Sequence, residues 1–190
     1  MSKGKRFAGL IPMLLVWAVI SVFLWGFVFL QLTDTDAEHK IVIFADCTVN
    51  DRHALAVELE KAMPEEIRTV QARPFTYAMM GGSGLDTADI YLVPEKDIEQ
   101  YSTWFAPLPD GWHGDRDRRE TAGGAAAGLR IEPAETGPDA RYIAWTDENG
   151  ETDAYYLFFG ASSVHTGSAD SAAVTAAERL IELIENREGE

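Results

Sequence analysis

Two regimes of hydrophobic patterning divide the chain. From Phe7 to Thr33 no residue carries a charge, and the apolar run is interrupted only by Pro12, Ser21 and Gln31. A bilayer core of ~30 Å asks for about 20 apolar residues at ~1.5 Å rise, so residues 7–33 predict one transmembrane helix. Pro12 falls in its first turns, where a missing backbone donor is tolerated. Beyond residue 34 the apolar positions come in short runs and amphipathic stretches separated by Gly, Pro and charge, the grammar of a globular domain.

Within that domain, after a linker at 34–39, IVIFA at 41–45 is apolar at every position and predicts a strand buried on both faces, central in a parallel sheet. RHALAVELEKAM follows, with Leu55, Leu59, Ala62 and Met63 on one helical face, Asn50 or Asp51 as N-cap, and Pro64 as terminator. A second strand is expected from Ile67 to Arg73, then a short turn broken at Gly81-Gly82-Ser83-Gly84, then a third strand, ADIYLV, at 88–93. A helix from Glu95 to Phe105 is closed by Pro107 and Pro109. Residues 111–140 show no sustained period and predict an irregular excursion. RYIAW at 141–145 and AYYLFFG at 154–160 read as antiparallel strands joined through Asn149-Gly150, a hairpin signal. A last helix from Ser171 to Glu185 aligns Ala173, Ala177, Leu180, Ile181 and Ile184, opposite Glu178, Glu182 and Glu185. The expected fold class is α/β: a three-layer, parallel or mixed sheet flanked by helices over 40–187, preceded by one transmembrane helix.

Charge adds a direction. Lys3, Lys5 and Arg6 precede the apolar run, while Asp34, Asp36 and Glu38 follow it. The positive-inside rule keeps residues 1–6 as a cytoplasmic stub and puts the domain outside, as a single-pass protein of the cell membrane. A cleaved signal would have a core of only ~7–15 residues and a small-residue cleavage site, which fits this run poorly. Three of the 16 Lys and Arg and none of the 31 Asp and Glu precede residue 34, leaving 13 against 31, a net −18, on the domain. Such a surface repels nucleic acid and anionic lipid, and excludes nucleic-acid binding. One cysteine, Cys47, allows no intramolecular disulfide, so the core alone must hold the domain.

Ligands of open parallel sheets bind beyond the carboxyl ends of the strands. That rule selects Asp46, Thr48 and Asn50 after the first strand, Phe75 and Tyr77 after the second, and Glu95 after the third. Asp46 opposes an anion and suits an amine or a sugar hydroxyl; the competing reading is that Asp46, Thr48 and Asn50 only cap the turn and helix. The glycines at 81–84 lack the lysine of a phosphate loop. His39, His53, His113 and His165 show no ligand spacing, so no metal is expected and no cofactor either. Ser162, Ser163 and His165 lack a nucleophile-elbow pattern and read as a cap for the last helix through Ser168 or Asp170. Cys47 would need a histidine base to act as nucleophile; without a catalytic constellation the chain reads as a non-enzyme.

The domain also resembles the first lobe of extracytoplasmic solute-binding proteins of ABC importers, the type II periplasmic-binding-protein fold. The resemblance is carried by IVIFA, the amphipathic helix after it, a Gly-rich connection into Ala88-Asp89-Ile90-Tyr91-Leu92-Val93, the turn Ala106-Pro107-Leu108-Pro109, and Ser162-Ser163-Val164-His165 before an Ala-rich helix. It implies a single-lobe relative, because residues 111–140 stand where that family inserts a second lobe. As partners it implies an ABC transporter permease or another membrane protein, with a small polar solute as ligand. A structural scaffold without a ligand, or a hydrolase-type enzyme using Cys47, are the alternative readings.

Overall fold

The computed structural model describes residues 11–33, 35–74, 85–110, 112, 117–137, 139–145, 152–168 and 170–185. The chain divides into two compact units, residues 1–36 and 37–190.

The first unit contains helix α1, Ile11–Thr33, 23 residues without a charge, about 35 Å of helix. Its side chains are described over 12–28 and are exposed there, apolar on every side. Among the described residues no helix is long and apolar enough to cross a membrane.

In the second unit a 3-10 turn, Ala37–His39, leads into β1, Lys40–Ala45. The two-residue strand β2, Thr48–Val49, and helix α2, Arg52–Glu60, come next. Asp51 is the N-cap, its carboxylate accepting from the Ala54 amide at 2.9 Å. The expected helix through Met63 ends early, with Leu55 and Leu59 buried and Met63 packed beyond the helix end. β3, Thr69–Pro74, and β4, Ile90–Pro94, lie parallel to β1 on either side, in the order β3-β1-β4. The expected helix 95–105 is broken into a 3-10 turn, Glu95–Asp97, the single turn α3, Ile98–Tyr101, a second 3-10 turn, Ser102–Trp104, and strand β5, Phe105–Ala106.

The irregular excursion expected at 111–140 is corrected. It holds β6, Arg118–Glu120, and β7, Ala127–Ile131, an antiparallel pair that completes the sheet. The alternation of Leu129 and Ile131 about exposed Arg130 is a strand pattern, masked by the small residues around it. Gly128 is required there because a Cβ would enter the Phe158 ring. The expected hairpin is corrected too. β8, Ile143–Ala144, pairs with β2, whereas β9, Tyr155–Gly160, lies antiparallel between β4 and β7, with β5 at its far end. Asn149 and Gly150 lie outside the described residues. Helix α4, Ala172–Ile184, is capped by Ser171, whose hydroxyl accepts from the Val174 amide at 3.3 Å, rather than by Ser168 or Asp170.

The result is an α/β fold with one mixed sheet, β3-β1-β4-β9-β7-β6. On one face Ile41, Ile43, Val70, Leu92 and Leu157 pack against α2 and α4; on the other Phe44, Tyr91 and Phe158 pack against Ile98, Tyr101 and Phe105. Leu180, at 0 % exposure on α4, typifies the core; burying such a side chain contributes roughly 1.5–3 kcal/mol.

Candidate functional site

Strand order reverses at β1. The chain leaves β1 for β3 on one side, and the next parallel strand, β4, lies on the other. Loops therefore diverge at the carboxyl ends of β1 and β4, the place where open α/β sheets take their ligands. Asp46 occupies it directly after β1, with its amide donating to the Leu92 carbonyl of β4 at 2.8 Å.

Residues of three elements surround Asp46. The Tyr101 hydroxyl of α3 donates to its carboxylate at 3.5 Å, and the Tyr155 hydroxyl, at the start of β9, donates to its carbonyl at 3.4 Å. Trp145 sets its ring edge-on to Tyr155, with centroids 4.9 Å apart. Glu95 and Lys96 stand at the rim: Glu95 faces Arg119 at 3.9 Å, and Lys96 pairs with Asp153 at 3.1 Å. Burial and then the charge of Asp97 push the Asp46 carboxyl up to about 6, against the smaller pull of Tyr101 and Lys96. A half-buried carboxylate among tyrosines can accept hydrogen bonds from an ammonium or hydroxyl group and exchanges a proton close to neutral pH.

Of the residues expected from the sequence, Asp46 and Glu95 share this edge. Thr48 is exposed on β2, paired with Ala144. The Asn50 side-chain amide donates to the Ala140 carbonyl at 2.6 Å and its backbone amide to Tyr142 at 2.8 Å, so it fastens the loop to the segment before β8. Phe75 and Tyr77 lie outside the described residues. The sequence pattern does not single out Tyr101 and Tyr155, which complete the site. Tyr101 lies one helical turn beyond Asp97 and so is reachable from the loop after β4. Tyr155 is hidden by the expected hairpin, which takes β9 away from β4.

Cys47 packs partly buried against the core, and burial, then the charge of Asp46, pushes its thiol far up. His39 and His165 stand at the opposite edge, their rings against the Glu66 and Ala37 carbonyls, both at 2.8 Å. The span of β1, roughly 20 Å, separates His39 from Cys47. At that same edge Asp89 is buried, accepting from the Val42 amide at 2.7 Å and from the Ser163 hydroxyl; burial raises its carboxyl. Ser163 thus donates to a carboxylate directly, with its oxygen accepting from the His165 amide at 3.0 Å, and these two residues brace the turn after β9. Among the described residues no group of three or more His, Cys, Asp or Glu is placed to hold a metal ion.

No family model matches the chain, and no curated protein or solved structure does either.

Proposed function

We propose that this chain is a membrane-anchored, extracytoplasmic binding module: α1 spans the bilayer with its basic end in the cytoplasm, and the domain takes up a small polar solute at the Asp46 edge. The reading is non-enzymatic, and it keeps the resemblance to one lobe of a solute-binding protein as its analogue, with a transporter permease as the fitting membrane partner. The observation that carries it is Asp46 itself, half-buried at the point where strand order reverses, between Tyr101 and Tyr155. Anchorage is supported by the uncharged 23-residue helix between a basic and an acidic flank. The alternative reading of Cys47 as a nucleophile is weakened by its raised thiol and by the distance to His39 and His165. One lobe leaves a ligand partly open to solvent, and tethering offsets weak binding by raising the local concentration beside a membrane partner.

Residues 37–190 form their own compact unit, so thermal shift can be measured on that fragment at pH 7.5 against amines, sugars and amino acids. At least one amine or polyol is expected to raise the melting temperature, and Asp46→Asn to remove that rise. A flat response across the panel, or a rise that persists undiminished in Asp46→Asn, rules out solute binding at the Asp46 edge.

A further inference from the structure

A recess lies at the other edge of the sheet. Because β9 runs antiparallel to β4, Phe159 pairs with Ile90 at the start of β4, a strand's length from Asp46. After β5 the sequence Pro107-Leu108-Pro109 has two fixed φ angles and two missing backbone donors in three residues, so it stands off as a stiff wall. Opposite it, Gly167 at φ +119° turns the chain toward the first turn of α4. Between them is a cavity of about 310 Å³, at the lower end of the size of small-molecule sites.

Its lining specifies a ligand. Phe159 and Val174, 1 % and 3 % exposed, form an apolar floor, and Pro107 and Leu108 form one side. Thr166 and Ser171 also line it; the Thr166 proton is engaged within the protein, whereas the Ser171 hydroxyl is shown only accepting. Thr166 donates to the Gly160 and Ser163 carbonyls at 3.4 and 3.3 Å, and Ser171 accepts from Val174. Among the described residues Asp110 supplies the one charge in the lining, on the exposed side. An apolar floor with a carboxylate at its mouth, on a domain of net charge −18, suits a cation with a compact hydrophobic body.

We infer that this cavity binds a small primary amine carried on one aromatic ring or a short alkyl chain, with the ring against Phe159 and Val174 and the ammonium at Asp110. The site is separate from the Asp46 edge, and it stands whether or not that edge binds a solute. An aromatic amine with no other polar group probes it best, since it isolates the ring contact and the Asp110 carboxylate from the Ser171 hydroxyl.

Ligand-observed NMR titration of the full chain in detergent micelles, with phenethylamine, its neutral isostere 2-phenylethanol and the anion 3-phenylpropionate, tests the assignment. Saturable binding is expected in the order amine, alcohol, anion. Asp110→Asn, an exposed loop substitution, is expected to weaken the amine about three- to fivefold, the worth of an exposed ion pair, and to leave the alcohol unchanged. Asp46→Asn is expected to change none of the three. The inference is overturned if no probe binds saturably, if the anion binds as well as the amine, if Asp110→Asn leaves the amine unaffected, or if Asp46→Asn abolishes binding.

Discussion

Asp46 is held in a balance in which removal from water and the neighbouring Asp97 outweigh the Tyr101 hydroxyl and Lys96, so its proton leaves only near pH 6. A carboxyl raised in the native state above its ordinary value near 3.8 binds protons more tightly when folded. Its stabilising effect is therefore complete below about pH 4 and is lost as pH rises through 6. In a site wholly removed from water, a rise of that size would correspond to about 3 kcal/mol; because Asp46 is only partly buried, solvent screening reduces this to roughly 1–2 kcal/mol. Denaturant unfolding of residues 37–190 at pH 4 and pH 7 should show a loss of about that size relative to Asp46→Asn over the same interval. Parallel pH dependences in the two proteins would place the titration elsewhere. Cys47 gives a second residue-level prediction. With its thiol raised by burial and by Asp46, alkylation at pH 8 should run at least about tenfold slower in the folded domain than in denaturant; equal rates would restore the nucleophile reading. The placement of Asp46 is legible in the sequence, because a wholly apolar strand followed by Asp-Cys-Thr marks a central strand end. The pressure on its proton is not, since it comes first from burial by the folded chain and then from Asp97, about 50 residues further along.

At the scale of elements, legibility follows the strength of the periodic signal. β1, β4, β9 and α4 stand out because their apolar runs or stripes are long. β6 and β7 do not, because Gly and Ala dilute the pattern, and the partner of β8 is obscured because adjacency in sequence suggests β9. The partner is β2, two residues long, which no periodicity can reveal. Glycine at 160 sets the join between β9 and the turn that follows, because a Cβ there would overlap the Ala88 carbonyl, a backbone atom that cannot swing aside. Its own amide donates to the Asp89 carbonyl at 2.9 Å, which holds the approach close. Gly160→Ala is accordingly expected to destabilise the domain by about 3 kcal/mol, near the upper end for single substitutions. Gly123→Ala serves as a control, since an added Cβ there meets nothing within 4 Å; it should change stability by less than about 1 kcal/mol. Equal losses in the two variants, read from urea midpoints, would contradict the close approach.

For the whole molecule, the uneven distribution of charge fits the proposed tether. Under that proposal, a basic stub before an uncharged helix and a net −18 after it would favour one orientation across an anionic membrane. Both candidate sites, the Asp46 edge and the cavity beside Pro107, belong to the unit that this arrangement would expose on the outer side. The most direct measurement of that account is single-cysteine labelling in a Cys47→Ala background, with a membrane-impermeant maleimide applied to intact spheroplasts expressing the full chain. Asp86→Cys, exposed on the domain, is predicted to label in intact cells, and Ser2→Cys only after lysis, with both proteins recovered in the membrane fraction. Recovery in the soluble fraction, or labelling of Ser2→Cys but not Asp86→Cys before lysis, would contradict it.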